Sequence, residues 1–189
     1  MDNPSRLPRL SNRINRTKTI AFVAAFSAAN AAFRVLLASG PPNVKPTAFL
    51  VIVSGIVGGP IAGAAVGWLS MTLSDLYLGP GVWTLETSTG MAVVGLLAGL
   101  LWQRSPRLSR KGLALGGFLL TMFFDVGTSI ADAIVFEYPI WIALVGLYVP
   151  FIMTGLSPYP FGWVDELTTA TLLGLMGPSL VSRIRKFYH

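Results

Sequence analysis

The sequence predicts an all-α integral membrane protein: six transmembrane helices with an extra external capping or partly inserted segment. Three observations lead there. The chain is 53% hydrophobic and only 12% charged, about half the charged fraction of an ordinary soluble domain. Twelve of its 14 Lys and Arg residues lie in three short clusters separated by long apolar stretches. Seven of its eight acids lie within or beside those stretches. Basic clusters at the ends of apolar segments mark cytoplasmic ends, and acids inside such segments are the first functional suspects.

The clusters are the N-terminal tail (Arg6, Arg9, Arg13, Arg16, Lys18), one loop (Arg104, Arg107, Arg110, Lys111) and the C-terminal tail (Arg183, Arg185, Lys186). The apolar segments are 19–38, 47–57, 60–78, 85–103, 112–136 and 161–180. A full span needs roughly 20 residues, with a floor near 17. The second segment is below that floor, so it crosses only if protein surrounds it. If all three basic clusters are cytoplasmic, four crossings precede Arg104 and two follow Lys111. The stretch 139–154, with Gly146 and Pro150 inside it, is then an external cap. Residues 1–18 and 185–189 read as cytoplasmic tails of a single domain over 19–184. The external loops carry Pro41-Pro42, Gly79-Pro80-Gly81-Val82-Trp83 and Ser157-Pro158-Tyr159-Pro160, residues that stiffen a turn.

Several classes of chemistry are excluded or disfavoured. There is no Cys, hence no thiolate metal site and no thiol nucleophile. The one His is the last residue. No metal or cofactor is expected. The basic residues suit anionic lipid and cytoplasmic retention rather than nucleic acid.

Alanine recurs at spacing four in the first segment, in the rows Ala21, Ala25, Ala29 and Ala24, Ala28, Ala32. Small residues at this spacing let another helix approach closely in lipid. Gly55, Gly59, Gly63 and Gly67 run at the same spacing from the second segment into the third, whose end carries Leu73-Ser74-Asp75-Leu76. Asp75 there caps, pairs or faces a ligand. At the start of the fourth, Thr84 suits an N-cap and Glu86 the first turn. Trp83 and Glu86 equally suit the mouth of an external pocket, as aromatic plate and acceptor. In the fifth, Thr121, Asp125, Thr128, Ser129 and Asp132 share one face. Asp125 lies near mid-membrane with no basic residue in its own span, so it needs a polar interior. Trp163, Asp165, Thr168 and Thr169 at the start of the last segment suit the same cavity as Asp132. Arg34, at the outer end of the first segment, is expected to pair with one of these acids or to snorkel outward.

The chain resembles the membrane-embedded substrate-binding (S) components of energy-coupling factor (ECF) vitamin transporters. The residues that carry the resemblance are the alanine rows 21–32, Val57-Gly58-Gly59-Pro60 running on to Gly67, Leu73-Ser74-Asp75-Leu76, Gly79-Pro80-Gly81-Val82-Trp83-Thr84, Gly95-Leu96-Leu97-Ala98-Gly99, Phe124-Asp125-Val126, and Pro160-Phe161 followed by Gly177-Pro178. The resemblance implies a six-helix binding component of a prokaryotic plasma membrane with both termini cytoplasmic. It implies a vitamin or related micronutrient under ordered external loops, a transmembrane coupling subunit docked on the alanine rows, and ATPase subunits that drive transport. The nearest group is the one associated with cobalamin or with uncharacterised substrates. There the Pro-Phe of the last helix is followed by an Asn–His-rich stretch, replaced here by Gly162-Trp163-Val164-Asp165-Glu166. Acids at that place favour a substrate with hydrogen-bond donors or positive charge.

Two other classes compete. An autonomous secondary transporter would show inverted repeats, which the sequence lacks. An intramembrane aspartyl enzyme needs two carboxylates that share a proton. Asp125 and Asp132 are seven residues apart, about 10 Å along a helix, and no Gly-x-Gly-Asp context surrounds either. The chain has no phosphate-binding loop of the G-x-x-x-x-G-K-[ST] type, so any ATP hydrolysis belongs to its partners.

Overall fold

A computed structural model describes residues 7–41, 44–105, 108–148 and 162–188. Among them are eight helices: α1 (Leu7–Leu36), α2 (Thr47–Gly58), α3 (Pro60–Leu78), α4 (Val82–Trp102), α5 (Arg110–Val135), α6 (Ile140–Tyr148), α7 (Gly162–Leu175) and α8 (Gly177–Tyr188). The fold is all-helical, as expected. Four stretches are long and apolar enough to cross a membrane: Arg16–Leu36 of α1, and α3, α4 and α5. Their outer faces carry Leu100, Leu115, Leu119 and Phe123, all exposed, which suits lipid rather than water.

α2 is the centre of the molecule. It packs against α1, α3, α4, α5, α7 and α8, and every residue from Thr47 to Val57 except Leu50 is buried. A 12-residue apolar helix is too short to cross a bilayer by itself. Here protein encloses it, so its ends need no lipid-facing solution.

Glycine sets how closely α2, α3 and α4 approach. A Cβ on Gly63 would run into the Gly95 carbonyl and stand 2.6 Å from Gly55 Cα. A Cβ on Gly99 would meet the Pro60 backbone. The spacing-four glycines thus form a three-helix seam, the packing expected of small residues in lipid. Gly59 has φ 90° and separates α2 from α3; that left-handed value favours glycine.

Three boundaries differ from the sequence reading. α1 is helical from Leu7, well inside the expected basic tail; Arg9, Arg13 and Arg16 already follow a helical period. The last segment is not one helix: it breaks at Met176 between α7 and α8. Pro178 explains the break, because its ring would crowd the Gly174 carbonyl of a continuous helix. The segment expected outside the membrane is helical over Ile140–Tyr148, while residues 149–154 and 157–160 lie outside the described residues.

α8 packs on the core through Val181 and Tyr188, and one charged side chain adds four bonds. The Arg185 guanidinium donates to the carbonyls of Trp102 (3.0 Å), Gln103 (3.0 Å), Ser105 (3.0 Å) and Ile56 (3.3 Å). These carbonyls lie at the C-terminal ends of α2 and α4 and in the turn after α4, where the α-helical ladder no longer supplies partners. Charge-assisted bonds are the stronger kind. Arg185→Ala is therefore expected to lower unfolding free energy by about 2 kcal/mol, read as a fall in thermal midpoint in detergent. Full retention of stability would show that water replaces the guanidinium there.

Candidate functional site

The polar interior divides into three groups. The first joins α1 to α3. Asn30 Nδ2 donates to Ser70 Oγ (3.1 Å) and to the Thr47 carbonyl (3.3 Å). One turn outward, Arg34 donates to Ser74 Oγ (2.6 Å) and forms an ion pair with Asp75. Asp75 is 2% exposed. Both residues are thus spoken for: Arg34 pairs with an acid as expected, and Asp75 fastens two helices.

The second group is Glu86, Asp132 and Tyr138. The Tyr138 hydroxyl donates to Asp132 Oδ2 (2.8 Å). Burial first, then the bond to Asp132 and the charges of Asp132 and Glu86, push the Tyr138 phenol well above its usual range, so it remains a donor. Glu86 is half-buried, with Oε1 unpartnered. It borders an apolar slot of about 370 Å³ between α4 and α5, lined among others by Leu85, Val93, Phe123 and Phe124. The N-terminus of α4 differs in detail from expectation. The helix starts at Val82, and Thr84 Oγ1 accepts from the Gly81 N–H (3.1 Å). Thr84 is therefore the third helical residue and not the N-cap, and no acid lies in the first turn of α4. The helix dipole gives no account of Glu86.

The third group lies deepest: Asp125 from α5, Asp165 and Glu166 from α7, Tyr148 from α6, and Lys45 from the loop before α2. Asp125 is 15 residues from Arg110 and ten from Val135, about 22 Å and 15 Å along the helix, so it lies near the middle of its span. It is fully buried, and both of its carboxylate oxygens are unpartnered. α7 begins at its level: a Cβ on Gly162 would stand 3.4 Å from Asp125 Oδ2. The N-terminal end of α7 therefore lies beside the Asp125 carboxyl group. Asp165 is 6% exposed with Oδ1 unpartnered. Glu166 accepts from the Tyr148 hydroxyl (2.9 Å). The Lys45 ammonium is lowered from its ordinary range, first by burial; Asp165, Asp125 and Asp75 act in the opposite sense, while Arg34 lowers it further. One lysine is thus within electrostatic reach of acids on three helices.

The face expected on α5 is buried throughout, from Thr121 to Asp132. Thr121 and Thr128 donate back to the Gly117 and Phe124 carbonyls of their own helix (2.9 and 2.8 Å). Ser129 Oγ and, on α7, Thr169 Oγ1 are buried and unpartnered. The structure does not gather all expected site residues into one place. Asp165 joins Asp125 instead of Asp132. Trp83 is 43% exposed. Trp163 lies on a surface slot of α7 with Val164, Leu167 and Leu172. Lys45, Tyr148 and Glu166 were not among the expected site residues. One signal for Lys45 was in the sequence: with Arg34 it is one of two basic residues outside the three clusters.

The alanine rows have a uniform setting. Ala21, Ala24, Ala25, Ala28, Ala29 and Ala32 are all exposed, whereas Ser27, Asn30 and Ala31 between them are buried against the bundle.

No solved structure matches the chain. A UPF0397 protein of Aliivibrio salmonicida is 32% identical over 82 residues, which span 43% of this chain and 42% of that protein. The chain thus aligns with less than half the length of that relative. A family model, ECF-type riboflavin transporter, S component, matches residues 12–157. That finding corrects the expected kinship with the cobalamin group, since the matching family is the riboflavin type. A match from α1 through α6 covers most of the sequence, and the chain belongs to the family of ECF-type riboflavin transporter S components.

Proposed function

We propose that this protein is the membrane-embedded binding component of an ECF transporter for uptake of a vitamin-class small molecule, working with a transmembrane coupling subunit and ATPases. The observation that carries the reading is the family match over 12–157. Riboflavin, the vitamin of the family's description, is the first ligand to test. The protein binds and conducts its substrate and performs no chemistry on it. It resides in a prokaryotic plasma membrane. α1, α3, α4 and α5 cross it, and enclosed α2 and the broken pair α7–α8 supply the remaining two crossings. All three basic clusters then face the cytoplasm.

Substrate enters from outside toward Lys45, Asp125, Asp165 and Glu166, with Glu86, Asp132 and Ser129 nearer the mouth. The exposed alanine rows of α1 form the surface for the coupling subunit. Nothing larger than a methyl group projects from them, so a partner helix approaches to van der Waals distance of the backbone. Ala25→Leu is expected to abolish co-purification of the coupling subunit while leaving the thermal midpoint and ligand affinity of the isolated protein unchanged. A fall in midpoint would instead assign this face to packing within the chain.

An autonomous secondary transporter is the alternative. Reconstitution into liposomes separates the two. Uptake that needs the coupling subunit and internal ATP supports the ECF reading; uptake driven by an ion gradient in the absence of partners sinks it.

A further inference from the structure

We infer that the substrate of this chain is a small organic cation of vitamin size, held by Asp125 with Asp165 and Glu166 and balanced against Lys45. The inference rests on the uptake reading above and specifies its substrate class.

A buried cluster of acids with unpartnered oxygens carries it. Asp125 and Asp165 lie within electrostatic reach of Lys45, and Glu166 follows Asp165 on α7, so three carboxyl groups stand against one amine; the other basic group within reach, Arg34, is committed to Asp75. Tyr148 adds a donor to Glu166 but no charge. Acidic groups outnumber basic ones in the set, and a carboxylate that ionises inside a membrane protein needs a compensating charge. Asp125 is the independent pointer. Its two oxygens are fully buried and accept no bond, and Asp165 Oδ1 beside it is likewise unpartnered. Groups of this kind are not left orphaned by chance; a bound donor or cation completes them. Among the described residues no three His, Cys, Asp or Glu side chains are grouped to hold a metal ion, so the cation sought is organic.

A neutral flavin gives no account of three acids around one lysine. Asp165 and Glu166 lie on α7, beyond residues 12–157 that match the riboflavin-type family. Lys45 and Asp125 lie within the matched portion, and α7 adds two further acids to them.

The test uses the full chain purified in mild detergent with four probes: riboflavin (neutral), pantothenate (anionic), thiamine and choline (cationic). Binding is read by calorimetry and by the shift in thermal midpoint. The expected result is saturable binding of a cationic probe, weakened at least tenfold by Asp125→Asn and by Asp165→Asn. Asp125→Asn is also expected to raise the midpoint of the ligand-free protein by about 2–4 °C, because it removes a buried acid whose oxygens accept no bond. A lowered midpoint would mean that Asp125 makes structural bonds, and would overturn the assignment even if no ligand were in hand. Preference for riboflavin or pantothenate overturns the cation and leaves the uptake reading standing. No binding of any probe overturns the cation as well. The uptake reading then stands or falls on whether the coupling subunit co-purifies with the wild-type chain.

Discussion

Gly63→Ala is expected to lower the thermal midpoint by roughly 6–12 °C, the shift that corresponds to about 3 kcal/mol for a chain of this length. The added Cβ meets backbone on two sides, the Gly95 carbonyl of α4 and Gly55 Cα of α2 at 2.6 Å. A flexible side chain would yield; helix backbone does not, so α3 must move away from both neighbours and the seam opens. The cost falls at the upper end of ordinary overpacking for that reason. Gly127→Ala is the internal control. A Cβ there has nothing within 4 Å, so its effect is expected within about 1 kcal/mol of zero, set by helix propensity. Thermal unfolding of both variants in one detergent checks the pair. Equal midpoints would mean that α2, α3 and α4 are not in the close register described.

Arg34→Met has a comparable effect by a different route. Arg34 is 11% exposed and its partner Asp75 2% exposed. Removing the guanidinium leaves a buried carboxylate with no counter-charge, which costs about 3–5 kcal/mol. The same pair replaced on both sides, Arg34→Met with Asp75→Asn, is expected to recover more than half of that loss, since neither charge remains buried. The double-mutant cycle separates this from simple loss of packing. Additive effects would show that the pair contributes no coupling and that Asp75 finds water instead.

Much of the architecture was legible in the sequence because lipid simplifies the problem. Apolar length and the placement of Arg and Lys locate helices with little ambiguity, and α2 and α3 begin where the apolar runs begin. The glycine and alanine rows were equally legible as close-packing surfaces. Their use was not: glycines at spacing four face inward along the α2–α3–α4 seam, whereas the alanines of α1 face outward. Spacing reports that a face is smooth, not which neighbour it meets.

The site was legible only along single helices. Asp125 and Asp132 stood out as acids in an apolar run, and both are buried. Their partners come from elsewhere in the chain: Tyr138 for Asp132, and α7, α6 and the Lys45 loop around Asp125. Helix periodicity places residues around one axis and says nothing of the level at which another helix begins. The sequence by itself determined an all-helical chain with long apolar helices, the acids that must be shielded from lipid and the small-residue faces. Only the tertiary structure decided that α7 starts at the depth of Asp125, which puts Asp165 there and not beside Asp132. It also committed Arg34 to Asp75 and gave Lys45 to the acids. Those outcomes depend on how deep each helix lies in the bundle, which packing between distant segments sets and local sequence does not encode.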